Sequence, residues 1–387
     1  TVNNTGSEDS PSSNYIGEVY LTGGTSFNPE FCSINDNVAS TDFGGGSAIL
    51  VKSESDSEFS LTYRSCQWTN NYAVYSKDVG NNRYNGVGGA YQHGFDSSST
   101  NVLLEFNNCT FLDNKSDREG GALAIQVVKN VLITKCYFKG NRAGVKVQSS
   151  SLNLLDLPRG AGYGGALYID PDFSQNGKPK MQFQIEESVF YGNEAVNGHA
   201  IYIRGGVETQ LLIQSGNVFT DNGKSGSTIV SECNELSIDP GVIFNFTDPT
   251  NSSRPYEFGP GSAAKYENLV FEDVSASNDI NVGNVINIAD GVLSAFISNC
   301  TFRNCGREGY VVTCYDVDVF EFYNCTIIFD NPSSAIKGLG IFSPPDTRLM
   351  IEDCNFQRCK EGCIIVEPTN KESQSYEDLD IKNVTFD

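Results

Sequence analysis

Apolar and polar residues alternate along much of this chain, as in Leu103-Leu-Glu-Phe106, Val131-Leu-Ile133 and Phe183-Gln-Ile185. Period two predicts strands. The strands recur inside one repeated phrase. A Cys or small residue comes first, an aromatic follows two residues on, and Asn stands three beyond that. A polar turn, paired glycines and a small apolar strand complete the unit. The clearest copy is Cys109-Thr-Phe111-Leu-Asp-Asn114, followed by Gly120-Gly-Ala-Leu-Ala-Ile125. Others run from Cys32 through Ile34 to Asn37, Cys66 through Trp68 to Asn71, Cys136 through Phe138 to Asn141, Ser188 through Phe190 to Asn193, and Asn217 through Phe219 to Asn222. Val242-Ile-Phe244 and Leu269-Val-Phe271 are degenerate copies. The phrase returns at Cys300-Thr-Phe302, Cys325-Thr-Ile327, Cys354-Asn-Phe356 and Asn383-Val-Thr-Phe386.

The spacing predicts the architecture. Cys109 and Cys136 are 27 residues apart, Cys300 and Cys325 25, and Cys325 and Cys354 29. A unit of that length holds two or three short strands with their turns and little helix. In Cys-x-Phe the first and third residues share one side of a strand and face inward. Leu123 and Ile125, Leu167 and Ile169, and Ile201 and Ile203 do the same after the glycines. With one unit per coil, like residues stack about 4.8 Å apart. Trp68, Phe111, Phe138, Phe190 and Phe219 then form an aromatic column, and Asn71, Asn114, Asn141, Asn193 and Asn222 an amide ladder. The ladder asparagines are expected to take the left-handed corner conformation themselves. The paired glycines relieve the next corner. Each coil alone is too thin to fold, and stacking makes the core continuous.

Phe-x-x-Asn paired with Gly-Gly-Ala-Ile-like segments resembles the repeats of chlamydial polymorphic outer-membrane proteins and their protist relatives, and the wider pectin-lyase-like class. The resemblance covers about residues 30–387. It implies an all-β, right-handed parallel β-helix, here of about ten to twelve turns with polar loop excursions, in a surface-exposed or secreted protein. No C-terminal membrane β-barrel of the bacterial kind is visible. The expected organisation is a flexible segment 1–13 and a single elongated domain 14–387. The stretch 15–22 is a candidate first strand. Loops near 76–87, 143–163, 247–262 and 367–378 leave the repeat, and the apolar Leu152–Leu157 covers a groove or flank.

Charge narrows the partners. With 26 Lys and Arg against 48 Asp and Glu, the formal net charge is −22. That excludes a phosphate-binding, nucleic-acid surface and favours a solvated acidic exterior. No run of about 18 apolar residues exists, so no transmembrane helix is expected. Asp170, Asp172, Asp316 and Asp318 are candidate calcium ligands without an EF-hand or other calcium array. No cofactor, and no metal site of zinc-like spacing, is expected.

Cysteine and asparagine carry the remaining chemistry. Twelve Cys are present, and stacked neighbours fall within the Cα range of a disulfide. Cys32–Cys66 and Cys109–Cys136 are the natural pairs; Cys300, Cys305, Cys314, Cys325, Cys354, Cys359 and Cys363 allow several pairings, and the alternative is a buried ladder of free thiols. Glycosylation triplets occur at Asn3, Asn108, Asn114, Asn245, Asn251, Asn299, Asn324 and Asn383. Asn108, Asn299, Asn324 and Asn383 share one frame, just before the Cys slot, and are expected to point outward. Disulfides with glycans indicate an oxidising secretory route in a eukaryote, and a start at Thr1 fits a processed chain.

Three functions compete. Polysaccharide cleavage on an outer strand face needs clustered carboxylates, or carboxylates with Arg or Lys. No Asp-Asp pair exists, and Gly198-His199-Ala200 with Arg204 is only a faint echo, so no enzyme is expected. Tyr168 and Tyr202 point outward in consecutive coils, where they either pack under a loop or offer sugar-stacking platforms for a carbohydrate-binding adhesin. The leading expectation is a non-enzymatic extracellular structural glycoprotein, self-associating head to tail into a coat, stalk or fibre. The chain stops part-way through a repeat at Asp387, and an open strand edge recruits further strands; the rival account is a fragment of a longer surface protein.

Overall fold

The computed structural model describes residues 18–21, 27–40, 49–53, 59–74, 86–93, 102–126, 128–144, 162–170, 181–223, 225–238, 242–245, 252–258, 263–267, 269–272, 285–288, 292, 294–305, 308–315, 317–330, 335–343, 347–359, 362–368 and 378–387. Asn3, Asn251, Asp172, Asp316 and the stretch Leu152–Leu157 lie outside them. By its internal contacts the chain divides into two compact units: Thr1–Arg204 with Val218–Gly223, and Gly205–Asn217 with Lys224–Asp387. The described residues form strands, paired in parallel, and no helix long and apolar enough to cross a membrane occurs among them.

In the first unit one coil runs through Val102–Asn107, Thr110–Leu112 and Lys115–Ser116. The next runs through Leu123–Ile125, Asn130–Thr134, Tyr137–Lys139 and Arg142–Ala143. The register is that of the repeat: Trp68 pairs with Phe111, Phe111 with Phe138, Phe138 with Phe190, and Phe190 with Phe219. Their rings stack at 4.6, 4.7, 4.7 and 4.8 Å, within 8° of parallel. All five are buried.

The amide ladder forms beside this column. Asn141 Nδ2 donates to Asn193 Oδ1 at 2.9 Å and to the Phe111 carbonyl at 3.0 Å. Its Oδ1 accepts from Asn114 Nδ2 at 3.0 Å and from the Asn114 backbone N–H at 3.1 Å. Only a primary amide supplies both donors and the acceptor at one slot. The corner conformation falls elsewhere than expected: the residue before the ladder Asn is left-handed, as at Asp36, Asn70, Asp113, Gly140, Gly192 and Asp221. The ladder Asn is thereby free to point inward. A second left-handed corner precedes the Cys slot, at Phe31, Ser65, Asn108, Lys135 and Glu187.

The glycine pairs behave as a stack. Gly88, Gly120, Gly164 and Gly198 have φ of +70°, +65°, +68° and +62°. The second glycines allow close backbone approach: a Cβ on Gly121 would sit 2.1 Å from the Gly165 carbonyl oxygen. His199 takes the second-glycine slot in its copy. Its Nδ1 accepts from the Ala195 N–H at 3.2 Å, and its ring fits because Gly223 faces it, where a Cβ would be 2.2 Å away.

The second unit repeats the scheme with substitutions. Val270–Glu272, Thr301–Arg303, Thr326–Ile328, Asn355–Gln357 and Thr385–Phe386 pair in register. So do Ala263–Glu267, Ser294–Ser298, Val319–Tyr323, Arg348–Glu352 and Asp378–Lys382. Phe271 and Phe302 stack at 5.2 Å. Cys305 stands in a ladder slot, and its thiol donates to the Phe271 carbonyl at 3.4 Å as a ladder amide would.

The expected Cys32–Cys66 and Cys109–Cys136 disulfides are not formed. The eleven described cysteines are free thiols; the side chain of Cys233 lies outside the described residues. The reason is geometric. In-register parallel strands carry their Cα–Cβ bonds side by side, so the Cβ atoms stay about 4.8 Å apart, beyond the ~3.5–4.5 Å a disulfide spans. The thiols form a hydrogen-bonded column instead. Cys136 Sγ accepts from the Cys109 N–H at 3.4 Å and donates to the Thr134 carbonyl at 3.4 Å. Cys300, Cys325 and Cys354 repeat this.

Candidate functional site

Two surfaces carry polar chemistry beyond the ladders. The first lies on the outer face of the coils that follow the glycine corners. Outward slots alternate with the core: Gln92, Ala124, Tyr168 and Tyr202 occupy one row in register. Every member of this row is buried. Tyr168 and Tyr202 face away from the core, as alternation demands, yet are only 4% and 5% exposed. Tyr202 stacks on Tyr163 at 4.3 Å. Neither tyrosine presents an open face to a sugar ring; of the two roles the sequence left open, platform and packed side chain, the structure has the packed one.

Carboxylates converge beside this row. Asp170 Oδ2 accepts from Gln126 Nε2 at 2.9 Å, Tyr168 Oη at 3.2 Å and Arg204 Nη1 at 3.4 Å. Ahead of the Gly120 corner, Arg118 Nη2 pairs with Glu119 Oε1 at 3.1 Å, both side chains being buried. Burial pushes the Glu119 carboxyl up to about 7, against the pull of Arg118 and with a push from Asp170. Glu119 Oε2 and both polar atoms of Gln92 are buried without a hydrogen-bond partner among the described residues. On the adjoining corner Tyr72 Oη donates to the buried Asp117. Burial, then this bond, raises the Tyr72 hydroxyl well above its usual value.

Chemically, this is a carboxyl poised to exchange protons near neutrality, beside a second carboxylate tied to an arginine. Perturbed groups of that kind mark functional sites and buried structural networks alike. The sequence reading missed Glu119 and Gln126. The charged run Asp117-Arg118-Glu119 directly ahead of Gly120-Gly121 was the available signal. Asp170 is no bare cation ligand, because Arg204 already neutralises it. Asp318 is exposed elsewhere. Among the described residues no group of three or more His, Cys, Asp and Glu is placed to hold a metal ion.

The second surface is the corner before the Cys slot. Asn108, Asn299, Asn324 and Asn383 are exposed there, with φ of 53°, 53°, 48° and 50°. Their outward direction comes from this left-handed corner rather than from strand alternation. Amides bridge neighbouring coils along it: Asn324 Nδ2 to Asn299 Oδ1 at 2.6 Å, Asn383 Nδ2 to Asp353 Oδ1 at 3.0 Å, and Asn108 Nδ2 to Ser65 Oγ at 3.0 Å. Asn114 is the opposite case. It is fully buried inside the amide ladder, so it has no room for a glycan and is removed from the acceptor set. The side chain of Asn245 lies outside the described residues.

No curated protein and no solved structure matches the chain. A family model described as a right-handed beta helix region matches residues 92–243. The chain is an all-β parallel β-helix, and over those residues it is similar to the right-handed β-helices of that family.

Proposed function

We propose that this chain is a non-enzymatic structural glycoprotein of the cell exterior, a subunit of a surface coat, stalk or fibre of the polymorphic-outer-membrane-protein-like kind. One observation carries this reading. Where the corner before the Cys slot is Asn, at 108, 299, 324 and 383, the residue two further on is Thr: Thr110, Thr301, Thr326 and Thr385. Where that corner is Phe31, Ser65, Lys135, Glu187 or Asp353, the residue is Ser33, Gln67, Tyr137, Val189 or Asn355, and never Thr. Left-handed geometry accounts for Asn at the corner, but the strand slot tolerates Gln, Tyr and Val. The coupling of Asn to Thr is what N-glycosylation requires. A glycosylated amide retains one N–H and its carbonyl oxygen, so it keeps a donor and an acceptor at the corner.

The test is expression through a eukaryotic secretory pathway, then enzymatic glycan release in heavy-oxygen water and peptide mass spectrometry. Label is expected at Asn108, Asn299, Asn324 and Asn383 and not at Asn114. Folded, secreted protein with all four corner asparagines unlabelled overturns the reading.

Head-to-tail assembly is the finer part. Its support is the identity of slot from coil to coil: the in-register parallel pairing that joins Arg348–Glu352 to Asp378–Lys382 within the chain is one that coils of different copies can make as well. Electron microscopy of the purified chain tests this. Filaments are expected; separate particles at all concentrations count against it.

A further inference from the structure

We infer that Asn197-Gly198 is a site of spontaneous deamidation in the folded chain, passing through a cyclic imide to aspartate and isoaspartate, while the amide ladder protects Asn222-Gly223 in the same unit.

Two Asn-Gly pairs fall within the described residues, and the fold treats them oppositely. The reaction needs the backbone nitrogen of the following residue to reach the side-chain carbonyl carbon. A glycine there leaves the approach unhindered, having no Cβ. At Asn222 the two groups are held apart. Its Oδ1 accepts from the Asn193 N–H at 3.1 Å and from Asn193 Nδ2 at 2.9 Å, and its own Nδ2 donates to the Phe190 carbonyl at 2.9 Å. The Gly223 N–H, which would have to supply the nucleophile, donates to the Asn193 carbonyl at 2.8 Å. Asn222 is 1% exposed.

At Asn197 the two groups meet. The first glycine of each preceding corner gives its N–H to the next coil: Gly88 to the Glu119 carbonyl at 2.9 Å, Gly120 to Tyr163 at 2.9 Å and Gly164 to Asn197 at 3.0 Å. The Gly198 N–H donates instead to Oδ1 of Asn197 itself, at 3.2 Å. The carbon to be attacked carries that oxygen, so the reacting groups are neighbours before reaction begins. Asn197 is partly exposed, which lets water in and ammonia out. Its backbone is tied down, the N–H donating to the Gly162 carbonyl at 3.1 Å and the carbonyl accepting from Gly164. A turn of the side chain, rather than opening of the coil, therefore brings the carbon under the nitrogen.

The Gly198 nitrogen gives up its proton and attacks Cγ of Asn197. The N–Cγ bond forms, the Cγ–Nδ2 bond breaks, and Nδ2 leaves as ammonia with a proton taken up in exchange. Water then adds to either imide carbonyl. Cleavage of the new N–Cγ bond restores the backbone with aspartate at 197. Cleavage of the original peptide bond leaves the chain running through Cγ, as isoaspartate. One water is consumed, one ammonia is released, and nothing is oxidised or reduced. The isoaspartate form adds a carbon to the backbone at a corner held by both Gly162 and Gly164.

The folded chain, made without a secretory host, is incubated at mildly alkaline pH, sampled over time, digested in acid and mapped by peptide mass spectrometry that separates isoaspartate from aspartate. The peptide carrying Asn197 is expected to gain the mass difference between water and ammonia, as both products. The peptide carrying Asn222 should change at least about tenfold more slowly, because the ladder must open first. In the urea-unfolded chain the two rates should converge, since the fold is what separates them. Asn85 and Asn176 also precede glycine, lie outside the described residues, and are read at their own positions. Any of four results overturns the assignment: Asn197 unmodified in the folded chain, Asn222 modified as fast as Asn197 there, aspartate formed at 197 without isoaspartate, or rates that stay apart after unfolding.

Discussion

Asn141 shows what a single ladder residue contributes. Alanine there would strand the Phe111 carbonyl and the Asn114 amide, and each buried orphan costs about 1–3 kcal/mol. Asn141→Ala is expected to lose about 3 kcal/mol or more, read from the urea midpoint. Asn141→Asp should fare little better, since a carboxylate has no donor for Phe111. Two buried titrating groups give opposite pH signatures. His93 faces the core, is wholly buried, and burial lowers its imidazole to about 3. It stays neutral in the fold, while the unfolded chain binds a proton below about pH 6.5. Its stabilising share is present above that value and is lost as the pH falls toward 3, about 5 kcal/mol in all. Glu119, raised to about 7, runs the other way. The fold favours its protonated form, so its share is full below about pH 4.5 and is lost as the pH rises through 7, about 3 kcal/mol. Chemical denaturation across pH should therefore flatten on the acid side in His93→Ile and gain stability near pH 8 in Glu119→Gln. Unchanged profiles would place both groups in contact with water.

Elements are governed by how closely coils approach. Gly121 and Gly192 separate packing from conformation. A Cβ at Gly121 would collide with backbone, 2.1 Å from the Gly165 oxygen and 2.6 Å from the Arg142 nitrogen. At Gly192 it would meet nothing within 4 Å, although φ is +61°. Gly121→Ala is expected to prevent folding of its coil, seen as loss of amide-exchange protection over Leu123–Ile125 and Leu167–Ile169. Gly192→Ala should cost only about 1 kcal/mol of left-handed strain. Equal effects would mean that the corners, and not the contacts between coils, set the spacing. The elements were legible because repetition multiplied a weak signal. One Phe-x-x-Asn says little, but Trp68, Phe111, Phe138, Phe190 and Phe219 at matching slots leave few arrangements besides stacking. The corner conformations were less legible. Asn was expected to be left-handed at 114 and 141, yet Asp113 and Gly140 are, because a ladder amide must point inward.

At the scale of the whole molecule, each unit faces outward with polar corners and inward with repeated columns. Cross-coil ion pairs such as Arg64 with Glu30 and Arg142 with Glu194 line the exterior of the first unit. They are exposed and add little stability. Identity of slot from coil to coil provides it, and the same property underlies the proposed assembly: a surface made by one coil fits the next. The assembly prediction belongs here, since it concerns how the slots of one copy meet those of another and not what happens inside a coil.

Period, strand pattern and residue chemistry alone determined the parallel coils, the aromatic column, the amide ladder and the exposed asparagine corner, because each depends on residues recurring at one spacing. Tertiary structure decided what two residues from different coils do when they meet. It kept the column cysteines apart as thiols, since parallel Cα–Cβ bonds do not converge. It withdrew Asn114 from the surface, covered Tyr168 and Tyr202, and gathered Glu119, Gln126 and Asp170 from separate stretches of chain. A linear pattern records which way a side chain turns; it does not record what lies on top of it.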